Sequence, residues 1–146
     1  MKIGIRATLA TSVVAAAVMS AASAHAAPVV PVADKIVCFV SAIEPWKTGH
    51  NSVAPINFGF KVHCTGQPAL RNVTTKLWRY DPKDGKQYMQ TERNDTSTNP
   101  DVETLYSASC SSTGILYQFH TEAIVNAFNG NWDRGSDNSS SVAAIC

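Results

Sequence analysis

The sequence predicts an all-β domain: an antiparallel two-sheet sandwich, immunoglobulin-like, with about seven strands and two disulfides. Three observations carry that expectation. Residues 57–64 (Asn-Phe-Gly-Phe-Lys-Val-His-Cys) alternate without a break, with Phe58, Phe60, Val62 and Cys64 on one face and Asn57, Gly59, Lys61 and His63 on the other. A period of two over such a run is a half-buried strand. Asp81-Pro82-Lys83-Asp84-Gly85 separates two strand-like runs, and Pro followed by Asp-Gly in that position is hairpin chemistry. Finally, strand-like runs recur through the last 120 or so residues, parted by polar, turn-rich gaps, which is the spacing of a sandwich.

Taken in order, residues 35–43 are apolar on both faces and read as a buried strand. The run 57–64 is the second. Val73–Tyr80 and Lys86–Arg93 form the hairpin. Glu103–Cys110 places Tyr106, Ala108 and Cys110 together, and Ile115–Thr121 does the same for Ile115, Tyr117 and Phe119. Glu122–Phe128 could make two helical turns or extend the strand before it; the strand is favoured. Ser141–Cys146 is the last run. Residues 94–101 and the Ser/Asn-rich 131–141 read as exposed loops.

The start of the chain has a different logic. Lys2 and Arg6 precede an uncharged, Ala-rich stretch that ends in Ala24-His25-Ala26, the small-residue pattern of a signal-peptidase site. Residues 1–26 are therefore expected to be a signal peptide, 27–34 (with Pro28 and Pro31) an extended leader, and 35–146 a single β-sandwich domain. The expected location is secreted and extracellular, with no membrane span in the mature chain.

Export gives the cysteines their meaning. Cys38, Cys64, Cys110 and Cys146 contain no C-x-x-C pair, which argues against zinc or a redox motif. Four thiols in an oxidising compartment read as two disulfides with three possible pairings. Cys38–Cys64 with Cys110–Cys146 is preferred, because each bridge would close one antiparallel neighbourhood. The rival joins Cys64 to Cys110 as an inter-sheet bridge, with Trp78 fourteen residues after Cys64.

Composition narrows the function classes. The formal charge is +1; with Lys2 and Arg6 cleaved away, ten cations face eleven anions. A near-neutral chain makes no electrostatic case for nucleic acid or an anionic membrane. No G-x-S-x-G, H-E-x-x-H or phosphate loop occurs, so no catalytic residue, metal or cofactor is assigned. His63 and His120 are expected to face solvent. Asn129, Asn131, Asp133 and Asp137 place oxygens at alternating positions, but Arg134 and Ser140 stand where a calcium loop needs Gly and Glu; a plain polar loop is the better reading.

The rhythm of Cys110, Gly114, Tyr117-x-Phe119-x-Thr121, Asn129-Gly130, a Ser-rich piece and Cys146, with Cys38 and Cys64 ahead of it, resembles the small exported two-disulfide β-sandwich proteins of actinobacteria. The resemblance implies a fold and a compartment. It carries no binding residue across.

One segment combines cations with aromatics. Arg71–Arg93 holds Lys76, Arg79, Lys83 and Lys86 with Trp78, Tyr80 and Tyr88 interleaved. Trp78 is either core, as most tryptophans are, or part of an exposed aromatic and cationic surface. The second case makes Lys76, Trp78, Arg79, Tyr80, Lys86 and Tyr88 the candidate ligand-binding residues, for a cell-envelope polysaccharide or another secreted protein. The function expected is a disulfide-stabilised, non-enzymatic binding module. The alternatives are a small secreted enzyme inhibitor, working through the loop at 111–113 or at 46–51, and a small hydrolase.

Overall fold

The computed structural model describes residues 35–146; the predicted signal peptide and leader lie outside them. The described chain forms eight strands in two antiparallel sheets: β1 (Cys38–Lys47), β2 (Ile56–Cys64), β3 (Leu70–Asp81), β4 (Lys86–Asp95), β5 (Asp101–Ala108), β6 (Leu116–Phe128), β7 (Trp132–Asn138) and β8 (Val142–Ile145). Sheet A has the order β1-β2-β5. Sheet B has the order β4-β3-β6-β7, with β8 paired to the first residues of β6 on the edge that β7 follows. Glu122–Phe128 continues the strand before it, so β6 is a single run of 13 residues.

Alternation decides which side chains meet between the sheets. Phe58 and Phe60 from β2 are fully buried, as are Val73 and Leu77 from β3 and Ala123 and Val125 from β6. The core falls into two clusters along the strands, one around Phe60, Val73 and Val125 and one around Phe58, Leu77 and Phe119; Tyr106 packs against both. The disulfides are Cys38–Cys64 and Cys110–Cys146, with no free cysteine among the described residues. Cys38 and Cys64 are register partners in β1 and β2, so this bridge lies within sheet A. The inter-sheet rival is excluded.

The segment expected to be a loop at 131–141 holds β7. Its inward side chains are polar, and they have a task. Asn131 Oδ1 accepts the Ile36 N–H at 3.2 Å, Asp133 Oδ2 the Cys38 N–H at 2.7 Å and Asp137 Oδ2 the Ala42 N–H at 2.8 Å. These oxygens satisfy donors along the edge of β1, and just before it, that no strand among the described residues covers. Three members of the calcium-like string are thus committed to the backbone of sheet A.

Arg71 also breaks the simple pattern. It lies on the inner face of β3 and is fully buried. Its guanidinium donates to Asp95 Oδ1 at 2.6 Å and to the Asn99 carbonyl. Asp95 Oδ1 also accepts the Ser97 N–H at 3.2 Å. The polar piece after β4 is therefore pinned to the core from below.

Gly59 marks a close approach between strands. It is buried in β2, between Ile43 and Leu105 in the register. A Cβ there would land on the carbonyl oxygen of Thr104 and within 3.1 Å of Leu105 Cα. Backbone cannot swing aside as a side-chain tip can. Gly59→Ala is expected to part β2 from β5 and destabilise the domain by about 2–3 kcal/mol, the upper part of the overpacking range. Urea denaturation followed by Trp fluorescence measures it; an unchanged midpoint would contradict the close approach.

Candidate functional site

The inner face of β3 fixes what its outer face presents. Val73, Thr75 and Leu77 are fully buried, so Lys76, Trp78 and Tyr80 point away from the core, each half-buried. Antiparallel pairing then sets their neighbours. Glu122 and His120 of β6 lie beside Lys76 and Trp78 on one side; Glu92 and Met89 of β4 lie beside them on the other. The Trp78 indole N–H donates to Glu122 Oε2 at 2.9 Å. Lys76 Nζ stands 3.6 Å from the same oxygen and 6.0 Å from the Trp78 ring centre. The rings of Trp78 and His120 are nearly parallel, 13° apart, with centres separated by 6.4 Å. Trp78 is therefore held at the surface by a carboxylate, a cation and an imidazole.

The six candidate residues do not form one face. Lys76, Trp78 and Tyr80 share the outer surface of sheet B. Arg79 has the opposite parity: its guanidinium carbon lies 4.6 Å from the Tyr117 ring centre and 5.7 Å from that of Tyr88. Tyr88 is its register partner, and the Tyr88 hydroxyl donates to Asp84 in the hairpin turn. Lys86 pairs with Asp81 at the hairpin end, and its backbone N–H is held by Asp84 Oδ1 at 2.9 Å. The expected cluster of cations is thus discharged. Lys76 faces Glu122 and Glu92, Arg79 is turned inward, and Lys86 stands next to acidic residues.

The titrating groups here follow their surroundings. Burial pushes the His120 imidazole below its usual value, because partial desolvation penalises the imidazolium; the Glu122 carboxylate opposes this but is the smaller influence. Asp84 is lowered mainly by the hydrogen bond from Tyr88, which itself is raised by that bond. For His120 the unfolded chain takes up a proton more readily than the folded one. Stability conferred by neutral His120 is present above its unfolded pKa, near 6.5, and is lost as the pH falls through that value toward the lower folded pKa. The expected result is a modest loss of stability from about pH 7 to pH 5 that is smaller in His120→Gln. Equal slopes for the two proteins would remove His120 as the cause.

A second aromatic pair lies on the same face. Leu70, Phe128 and Trp132 form one register row across β3, β6 and β7. The rings of Phe128 and Trp132 have centres 5.1 Å apart. Trp132 is 66% exposed, more than any other large apolar side chain among the described residues. Reading the sequence missed this pair because Trp132 sits in a stretch polar on both faces, where no alternation announces a strand.

Other places offer less. A groove of about 560 Å³ opens between the end of β1, the loop after it and β8, lined by Trp46, Lys47, His50, Leu116, Val142 and Ile145 among others. It has no carboxylate side chain in its lining, and Lys47 Nζ is spent on the carbonyls of Asn51 and Ile145 at 2.6 and 2.5 Å. His63 Nδ1 contacts Asp101 on the outer face of sheet A, with both side chains more than 60% exposed. No group of three or more His, Cys, Asp or Glu among the described residues is placed to hold a metal ion. Comparison with protein-family models, curated proteins and solved structures finds no match to the chain.

Proposed function

We propose that the chain is an exported, non-enzymatic binding module of immunoglobulin-like topology that takes its ligand on the outer face of sheet B. The observation that carries this reading is Trp78, a large aromatic held on the outside of the sandwich by Glu122, Lys76 and His120. A tryptophan kept at the surface by dedicated partners is pre-organised for contact rather than for core packing. Two sheets ordered β1-β2-β5 and β4-β3-β6-β7 support the topological reading, since each corresponds to the A-B-E and C′-C-F-G sets of that fold. Two disulfides support an oxidising compartment. Intact mass of protein from the culture medium tests export, with cleavage expected after Ala26.

The binding test compares wild type with Trp78→Ala on cell-envelope fractions and secreted proteins. Because Trp78 lies outside the core, the variant is expected to keep its far-ultraviolet spectrum and cooperative unfolding and to lose binding. A folded variant that binds as well as wild type would overturn the assignment of this face.

The inhibitor reading keeps one specific support. Ser112 adopts φ 53° in the exposed loop after Cys110, beside the Cys110–Cys146 bridge. A non-glycine residue in that region is a constrained conformation, and an inhibitory loop needs rigidity. Titration against a set of serine peptidases decides it; no inhibition at stoichiometric protein would dismiss the loop.

A further inference from the structure

We propose that the Phe128–Trp132 pair is a second platform on the outer face of sheet B, and that with Trp78 it holds one extended, uncharged polysaccharide lying along β3 and β6. The inference rests on the reading of that face as the binding surface, and it adds the ligand class.

Three observations carry it. The first is spacing. Trp78 stands eight residues along β3 from Leu70, whose row contains Phe128 and Trp132. At the rise of a strand the two platforms are about 26 Å apart. A small molecule cannot touch both, whereas a chain of several sugar rings can. The second is the chemistry of the aromatics. The face of an aromatic ring is electron-rich, and the C–H-bearing face of a pyranose is its apolar, slightly positive complement. The strip between the platforms supplies hydroxyl and amide groups. Thr74 Oγ1 lies 3.2 Å from Asn72 Oδ1 and 2.7 Å from Asn94 Oδ1. The hydroxyl has one proton, and the nearer oxygen, that of Asn94, takes it, which leaves the Asn94 amide N–H₂ end to reach a sugar hydroxyl.

The third observation is charge. The formally charged side chains of the outer row are Lys76 and Arg134 on one side and Glu92 and Glu122 on the other. Two cations balance two anions, and Lys76 sits against Glu122. Such a surface gives an anionic polymer no net attraction and would charge a desolvation cost for each ionic group it covered. An uncharged chain brings no charges of its own to be desolvated, and its hydroxyls can hydrogen-bond to the charged groups it covers.

The experiment uses the mature domain and native affinity electrophoresis in gels containing hydroxyethylcellulose, glucomannan or galactomannan, with alginate as the anionic comparison. Calorimetry with oligosaccharides of increasing length follows on the polymer that retards the protein. Wild type is expected to bind at least one uncharged polymer with little change between low and high salt. Affinity should rise with oligosaccharide length until both platforms are bridged. Trp78→Ala and Trp132→Ala, each checked for a native far-ultraviolet spectrum and cooperative unfolding, should each weaken binding about tenfold, the cost of losing a contact worth roughly 1.4 kcal/mol. Because Trp132 is so exposed, its variant separates binding from folding.

The outcomes distinguish the two readings. If Trp78→Ala loses binding while Trp132→Ala binds as wild type, the second platform is wrong and the binding face stands. Retention by alginate alone, lost in salt, would overturn the uncharged ligand but not the face. Binding that neither variant weakens, or no retention in any gel, would overturn the polysaccharide proposal; in the first case the face falls with it.

Discussion

Reduction of both disulfides is expected to unfold the domain at physiological temperature. Cys38–Cys64 closes a separation of 26 residues and Cys110–Cys146 one of 36. In the chain-entropy treatment, cross-links of that length restrict the unfolded chain by about 3.5 and about 4 kcal/mol. The closed segments do not overlap, so the two contributions should add. Their sum, about 7 kcal/mol, is comparable to the whole stability of a typical domain, about 5–15 kcal/mol. Guanidinium denaturation with and without a phosphine reductant measures the effect. Single-bridge variants, Cys38→Ala with Cys64→Ala and Cys110→Ala with Cys146→Ala, should each show about half of it. A reduced protein with the oxidised midpoint would mean that the core is sufficient without either bridge.

Arg71→Ala is expected to cost about 3–5 kcal/mol, among the largest losses outside the cysteines. The guanidinium is fully buried and bridges the Asp95 carboxylate and the Asn99 carbonyl. Truncation leaves a cavity, an unpaired carboxylate and an unpaired carbonyl together. Asp95→Ala should cost a similar amount, because it leaves the fully buried guanidinium, which cannot shed its proton, without its counter-charge. Arg71→Lys should recover little, since one ammonium cannot reproduce the planar fork that spans both acceptors. Equilibrium denaturation of the three variants measures these costs. A lysine variant as stable as wild type would show that charge alone suffices.

Arg71 also shows where the sequence stopped being legible. Its position on β3 has the parity of Val73 and Leu77, so alternation alone points it inward, yet its charge argues for solvent. The deciding partners, Asp95 and Asn99, come from a segment more than twenty residues away. β7 was hidden for a related reason. Asn131, Asp133 and Asp137 are inward residues whose use is to accept N–H groups from β1, so the apolar half of the alternation is absent and the stretch reads as a loop. Where the inner face is mostly apolar, as along β2, period-two patterning placed the strand and its core side chains directly.

The candidate site divides along the same line. Parity around Leu77 places Lys76, Trp78 and Tyr80 on one face; the same parity separates Arg79 from them, which grouping it with the other candidates passed over. What parity could not supply was the cross-strand register that sets Glu122 and His120 beside Trp78. That register turned an expected cationic surface into a balanced one. Tertiary pairing therefore changed the chemistry of the site without moving its central residue.

The two disulfides have a further consequence when the domain bears tension between its ends. Force entering at Cys38 crosses at once to Cys64, and force arriving at Cys110 crosses to Cys146. Within the disulfide-bonded domain, β1, β2, β6, β7 and β8 lie inside the closed segments and are bypassed as load-bearing chain. Only residues 65–109, which contain β3, β4 and β5, can pay out as extended polypeptide, about 150 Å at full stretch. The sandwich is thus a short tether with a fixed limit of extension, and Trp78 rides on the section that yields while Trp132 stays in a closed loop.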